Sequence, residues 1–429
     1  MGSGQSMDSL SELERRYDPV IRFRPTGRKI GILITFLLVS MSIYHFYASG
    51  FGLIREWLHR GIHLSFVLSL VFLLFGAHQN RSRGSVKTTW YRIDGIGIWD
   101  IALAITAVAV SLYLPLLPAE IVAHRVGAPS VSDVVMGSLL LVLVLEVTRR
   151  SVGLTMSVIA VVLVLYALFG TYAPGALKHP GASWEGLINH LYMTNQGIYG
   201  VAIGVVAKYV FLFVLFGVLA TRIGLGQLFI DLASVLAGRY AGGPAKVAIF
   251  SSAMLGTISG SSIANTVTTG ALTIPAMKKV GYEPHFAAAV EAASSTGGQI
   301  TPPIMGAAAF IMVEFLEIPY REILLAALVP ATLHYFGIFI MVHLEAKRLG
   351  LRGLSAQEMP KALAVLSKHW LTLAPLLILV YLIISGRSPD FAAVWGIVGC
   401  VVCGFINPND RLTIPDFIES LATGARYAL

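Results

Sequence analysis

Ten apolar stretches fix what this chain can become. They run at about 30 to 49, 61 to 78, 98 to 117, 132 to 148, 152 to 172, 198 to 221, 284 to 317, 323 to 345, 369 to 386 and 390 to 406. A helix rises about 1.5 Å per residue, so about 20 apolar residues cross the roughly 30 Å hydrocarbon layer of a membrane. Lipid offers main-chain amides and carbonyls no partner, and a segment of this length satisfies them within itself as a helix. With 56% hydrophobic and 13% charged residues and a mean hydropathy of +0.75, the sequence predicts an all-α polytopic membrane protein of about ten spanning helices. No run of about a hundred polar-patterned residues is present for a soluble lobe, and no G-x-x-x-x-G-K-[ST] string for a nucleotide.

The formal net charge of +8 comes in short basic clusters between apolar stretches, which is orientation rather than a nucleic-acid surface. Arg15, Arg16, Arg22, Arg24, Arg28 and Lys29 precede the first stretch, and Arg81, Arg83, Lys87 and Arg92 follow the second. Arg149 and Arg150, then Arg222 and Arg239, then Lys347, Arg348, Arg352, Lys361 and Lys368 fall on the same side. That side is expected to be cytoplasmic, with residues 1–28 a polar cytoplasmic tail that holds no secretory h-region. MGSGQS fits a myristoylation pattern but reads better as an appended scar before Met7. Lys278 and Lys279 keep the cytoplasmic count only if the chain between Ser251 and Met277 enters and leaves on one side, as a re-entrant helical hairpin. QLFIDLASVLAGRY, 227 to 240, is too short to span and suits an interfacial helix.

Within that hairpin lies GTISGSSIANTVTTG, Gly256 to Gly270. Flexible polar backbone at membrane depth is tolerated where protein buries it or where it lines a watery cavity. Gly256, Gly260 and Gly270 free the main chain, while Thr257, Ser259, Ser261, Ser262, Asn265 and Thr266 supply neutral oxygens. Such oxygens suit a small hard cation, sodium first. A half-helix that starts after the tip also turns its positive end toward the cavity, where a carboxylate is favoured. The stretch from 284 to 317 is broken at Ser294 to Pro303, where Ser295, Thr296, Gly297, Gly298, Gln299 and Thr301 precede or flank Pro302 and Pro303. The prolines remove two amide donors and leave carbonyls free, and two such interruptions mark a transporter site near the midplane. Small residues that ease helix packing are the competing explanation, but they recur every fourth position rather than as consecutive glycines and prolines.

Other polar residues carry less. Glu291, one turn or so before the break, is expected to support it by hydrogen bonds or to pair with Lys246 or Lys278. Lys208 is expected to snorkel, and His334 and His343 to make ordinary helix contacts. Trp90, Trp99 and Trp184 read as interfacial anchors. Cys400 and Cys403 have C-x-x-C spacing without a second pair or a nearby histidine, so packing is expected and neither metal nor redox chemistry.

The segment SGSSIANTVTTGALTIPAMKKVGYEPHFAAAVEAASSTGGQITPPIMGAAAFI resembles the signature of tripartite ATP-independent periplasmic (TRAP) transporters, and the whole chain resembles their fused permeases of the TAXI type. The likeness is strongest from about Gly197 to Gly350. It implies a four-helix small-subunit scaffold over residues 29–150 and a large-subunit transport region over 151–429. It further implies sodium coupling without an organic cofactor, and an elevator motion of a mobile domain that carries the hairpin. A periplasmic TAXI-type binding protein would deliver a small organic anion such as a carboxylate. The setting is the inner membrane of a bacterium or archaeon. Carried onto this sequence, ion and substrate contacts fall on Ser259, Gly260, Ser261, Ser262 and Asn265, and on Thr296, Gly297, Gly298, Gln299 and Thr301. Glu291 and Pro302 support them, and sodium takes Ser259, Ser261, Asn265, Thr296 and Gly298. The family's large subunit holds two inverted repeats, whereas this chain holds one, and ATGARYAL resembles the opening of the second. The sequence is therefore expected to be a fragment or frameshifted product, or to be completed by a second chain.

Two other functions use the same residues. An intramembrane serine protease would take Ser259 as nucleophile and His334 as base, but Thr257 stands where a nucleophile elbow has glycine. A sodium-coupled carboxylate carrier without a binding protein would share the hairpin but has no use for four additional amino-terminal spans.

Overall fold

A computed structural model describes residues 23–52, 54–77, 92–355, 359–408 and 411–429. Arg15, Arg16, Arg22, Arg81, Arg83, Lys87, Trp90 and nearly all of the tail lie outside the described residues. The helices are α1 (Arg28–Gly50), α2 (Glu56–Leu74), α3 (Ile98–Leu116), α4 (Ala119–Arg125), α5 (Val131–Ser151), α6 (Leu154–Phe169), α7 (Trp184–Met193), α8 (Val201–Val205) and α9 (Phe211–Arg222). Then come α10 (Leu225–Ala237), α11 (Gly243–Ser259), α12 (Ser262–Lys279), α13 (Pro284–Thr296), α14 (Ala307–Leu316), α15 (Tyr320–Arg348), α16 (Ala362–Ile384), α17 (Pro389–Ile406) and α18 (Ile414–Tyr427). One antiparallel pair of two-residue strands, Arg92–Ile93 with Ile96–Gly97, precedes α3.

Nine helices among the described residues are long and apolar enough to cross a membrane. They coincide with nine of the ten apolar stretches, and the tenth is the broken pair α13 and α14. The protein is thus an all-α polytopic membrane protein.

The chain divides into two compact units. One comprises residues 1–44, 52–207 and 429, the other residues 45–51 and 208–428. In the first, α2 and α3 pack side by side through Leu68, Phe72, Ala107 and Val110, and Gly61 gives way to Pro115. The Tyr192 and Tyr199 hydroxyls donate to the carbonyls of Val110 and Ser111 at 3.1 and 2.8 Å. Asp100 accepts from Arg24 at 2.6 Å and from Arg150 at 2.7 Å, and Arg150 also meets Glu146 at 2.6 Å. Buried charges hold only when matched in this way, since removal of one partner strands the others.

In the second unit α11 and α12 run antiparallel as a hairpin, packed against α13. Helix α10 lays Leu225, Leu228, Phe229 and Ala233 against α11 and α16. The long α15 runs beside α11, α13 and the break, while α16 and α17 pair through Leu379, Gly396 and Gly399. Cys400 and Cys403 are buried free thiols in α17.

Candidate functional site

The hairpin turns in two residues. Helix α11 ends at Ser259, Gly260 adopts φ +59°, and Ser261 caps α12 by accepting from the Ala264 amide at 3.3 Å. Only glycine takes that left-handed angle without strain, and a Cβ there would lie 2.1 Å from the Met305 carbonyl oxygen. The arms are longer than the sequence suggested, because Gly242, with Pro244 at the helix start, initiates α11. Along α12 the polar residues stay helical. The hydroxyls of Thr266, Thr268, Thr269 and Thr273 reach back to carbonyls four residues earlier at 2.8, 2.8, 2.8 and 3.0 Å.

The second interruption is as expected. Helix α13 stops at Thr296, Gly297–Ile300 form a 3-10 turn, and α14 begins at Ala307. Thr301 Oγ1 donates to the Gly297 carbonyl at 2.6 Å and touches the Tyr335 hydroxyl at 3.2 Å. The Gly306 amide bonds the Gln299 carbonyl at 2.8 Å, and the Ile304 amide the Thr257 carbonyl at 3.3 Å.

Hairpin and break meet backbone to backbone. A Cβ on Gly256 would lie 2.5 Å from Gly298 Cα, and one on Gly298 would lie 2.8 Å from Gly256 Cα. Asn265 stands beside both glycines, fully buried, with Nδ2 donating to the Ser252 carbonyl at 2.8 Å. Its Oδ1 has no hydrogen-bond partner. A buried, unsatisfied amide oxygen costs about 1–3 kcal/mol, which a cation would remove. Gln299 Nε2 donates to Ser262 Oγ at 3.3 Å, a second link between the two elements.

Glu291 is fully buried behind this contact. Its carboxylate accepts from Ser252 at 2.9 Å and Ser295 at 3.1 Å, and from Thr269 and Thr273. Hydroxyls from both arms and from the helix before the break thus converge on one acid. The expected support is by hydrogen bonds, and Lys246 goes elsewhere, to His343 Nδ1 at 2.9 Å.

A cleft of about 500 Å³ opens at the hairpin tip. Ser259, Ser261, Ala264 and Thr268 form one wall, Val214, Gly217 and Thr221 of α9 another, and Ser420, Thr423 and Tyr427 of α18 a third. The amino end of α12 therefore faces this mostly apolar cleft, where its partial positive charge favours an anion. Ser259 and Ser261 reach this cleft, Asn265 and Gly298 are buried at the contact behind it, and Gly297 is buried against His334 and Tyr335. Thr296 joins neither group: it is exposed and its hydroxyl returns to the Ala292 carbonyl at 2.8 Å.

Residues 139–429, well over half of the chain, match the family described as the DctM component of the tripartite ATP-independent periplasmic transporters. The chain belongs to the DctM family of TRAP large permeases. A putative TRAP transporter large permease protein of Haemophilus influenzae is 30% identical over 169 residues, 39% of each chain. The sialic acid TRAP transporter large permease protein SiaM of Vibrio cholerae is 28% identical over 210 residues, 49% of this chain and 48% of that one. The C4-dicarboxylate TRAP transporter large permease protein DctM of Rhodobacter capsulatus is 32% identical over 91 residues, 21% of each. The chain spans about half or less of the length of these curated relatives.

DctM proteins are transporters rather than enzymes, and the local geometry agrees. His334 Nε2 lies 3.0 Å from the Ala293 carbonyl, and Ser259 Oγ 3.5 Å from the Ser261 carbonyl, so the two side chains are not a nucleophile and its base. Sequence reasoning missed Gly256 as a contact point, Ser252, Thr269, Thr273 and Ser295 as partners of Glu291, and Tyr320, whose hydroxyl reaches the Pro303 and Ile304 carbonyls. The hydroxyl residues four apart on α12 were the available signal.

Proposed function

We propose that this chain is the membrane part of a sodium-driven importer of a small organic anion. Asn265, whose Nδ2 lies beside Gly256 and Gly298 and whose buried Oδ1 has no partner, carries the ion half of that conclusion. Sodium takes oxygen ligands, and Asn265 with main-chain oxygens of Gly298 and the tip, aided by Ser259 and Ser261, is a donor set of the required chemistry. Bound there, sodium supplies positive charge next to the cleft. The amino end of α12 adds its own partial charge, and the hydroxyls of Thr268, Thr221 and Ser420, which donate to helix carbonyls, would turn to donate to the solute. Relatives named for sialic acid, C4-dicarboxylate and isethionate all concern anions, which supports a carboxylate or similar acid as cargo.

In this proposal a TAXI-type periplasmic binding protein delivers the solute, and the hairpin travels as part of an elevator. Residues 29–150 act as a fused small subunit, the amino terminus is cytoplasmic, and a second repeat, in this or another polypeptide, closes the site. Proteoliposomes that hold the permease test it. Uptake of a labelled C4-dicarboxylate, sulfonate or sialic acid should require both an inward sodium gradient and the binding protein. Equal uptake in potassium would remove sodium from the mechanism, and sodium-driven uptake without the binding protein would turn the chain into a simple sodium/carboxylate carrier.

A further inference from the structure

One helix holds both the unwound turn and the helix that leads into it. Tyr320, in the first turn of α15, directs its hydroxyl to the Pro303 carbonyl at 2.9 Å and the Ile304 carbonyl at 2.6 Å. On the same helix His334 Nε2 lies 3.0 Å from the Ala293 carbonyl, and the Tyr335 hydroxyl is met by Thr301. Four helical turns take about 14.4 residues, so Tyr320, His334 and Tyr335 share one stripe roughly 21 Å long. Ala293 precedes the break and Ile304 lies inside it, and α15, with Pro330 between Tyr320 and His334, runs beside both.

Tyr320 does what the turn cannot do for itself. Pro302 and Pro303 have no amide proton, and the one O–H of Tyr320, 4% exposed as a residue, is shared between two successive carbonyls. With these drawn toward α15, the next carbonyl, Met305 at φ +60°, abuts Gly260 at the hairpin tip. The ring of Tyr320 also stacks on Phe310 of α14 at 4.9 Å.

We propose that α15 is a splint for the ion site and that Tyr320 is its positioning residue: it turns the Pro303 and Ile304 carbonyls away from the tip and so sets sodium affinity. The inference rests on the sodium reading above. A merely structural tyrosine would instead contribute through its stacked ring.

The test uses the purified chain in lipid nanodiscs, melted at increasing sodium with choline holding ionic strength constant. Tyr320→Phe keeps the stack and loses one buried hydrogen bond, so the apparent sodium dissociation constant should rise about tenfold while sodium-free melting stays close to wild type. Phe310→Leu should lower melting without moving the sodium constant. His334→Phe, which loosens the other grip, should raise the constant and keeps the inference testable should Tyr320→Phe not fold. Wild-type constants in the Tyr320 and His334 variants overturn the splint while sodium binding stands. Absence of any sodium response in the wild type overturns both.

Discussion

Alanine in place of Gly256 tests the contact on which the ion site depends. Its methyl carbon would lie 2.5 Å from Gly298 Cα, whereas carbon atoms rest about 3.5–4.0 Å apart. Arm and turn must therefore separate by about 1 Å. Neither side is a flexible side chain that swings away, since both are main chain. Overpacking of this kind costs about 1–3 kcal/mol, and alanine's better helix propensity returns about 1 kcal/mol in α11. The net effect on folding is small, on the order of 0–2 kcal/mol. The site suffers more, because the atoms that move are those around Asn265 Nδ2, 3.6 Å from the same methyl position. A loss of about 1.4 kcal/mol in ion binding is a tenfold weaker sodium constant. Sodium-dependent melting and sodium-driven uptake should both report it, with Gly298→Ala acting in the same direction. Gly337→Ala serves as control, for an added Cβ there meets nothing within 4 Å, and it should leave sodium affinity unchanged. Should Gly256→Ala bind sodium and transport like wild type, the backbone contact would have no part in the site.

Asn265→Ala removes the unpartnered oxygen together with the bond to Ser252; sodium-dependent melting should weaken at least tenfold, with insertion into membranes intact. Glu291→Ala strands four hydroxyls, of which Thr269 and Thr273 can turn to helix carbonyls at 2.8 and 3.0 Å. Thermal or denaturant melting should register a loss on the order of 2–4 kcal/mol, and Glu291→Gln less. Asp416, at the cap of α18, is held below the ordinary carboxylate value first by the Thr413 hydroxyl and then by the Arg222 guanidinium. Its folded value is depressed, so the stability it contributes is present above the unfolded value of about 3.9 and lost as pH falls through the folded value. Asp416→Asn should flatten that acid limb by lowering melting near neutral pH, where the contribution is present, and should change melting least in acid, where the wild-type carboxyl is already protonated.

The spans were legible because apolar length is a local property, and each stretch from 30 to 406 reappears as one helix, as α8 and α9 joined by the π turn Val206–Val210, or as the broken pair α13 and α14. The break was legible for the same reason: two consecutive glycines followed by two consecutive prolines weaken a helix together, whereas the single prolines Pro275, Pro330 and Pro375 are carried inside helices. Gly256 was visible only as flexibility. That it is the place where α11 touches Gly298 depends on a residue 42 positions later, and no spacing rule within either segment encodes the meeting. Tyr320 was hidden likewise, since a tyrosine at the start of a span reads as an interfacial anchor and nothing near it announces carbonyls 16 and 17 residues upstream. Thr296 differs from these, for its type suits the site while its place in the helix leaves it exposed, with its hydroxyl on the Ala292 carbonyl.

The glycine and hydroxyl string shows why composition marks a site better than it marks a conformation. Read as a polar loop, it would unwind the membrane-embedded chain for many residues and leave each amide to find a partner. The hydroxyls that make it polar instead bond carbonyls one turn back, so α12 stays helical from Ser262 and the loose backbone shrinks to Gly260 and Ser261. Only two kinds of polar atom then remain for a ligand. One is the oxygen that no neighbour satisfies, Asn265 Oδ1, and the other is the hydroxyl that faces the cleft, as on Ser259. A buried ion and a cleft-bound anion need these two environments side by side, with Gly256 and Gly298 small enough to let them touch.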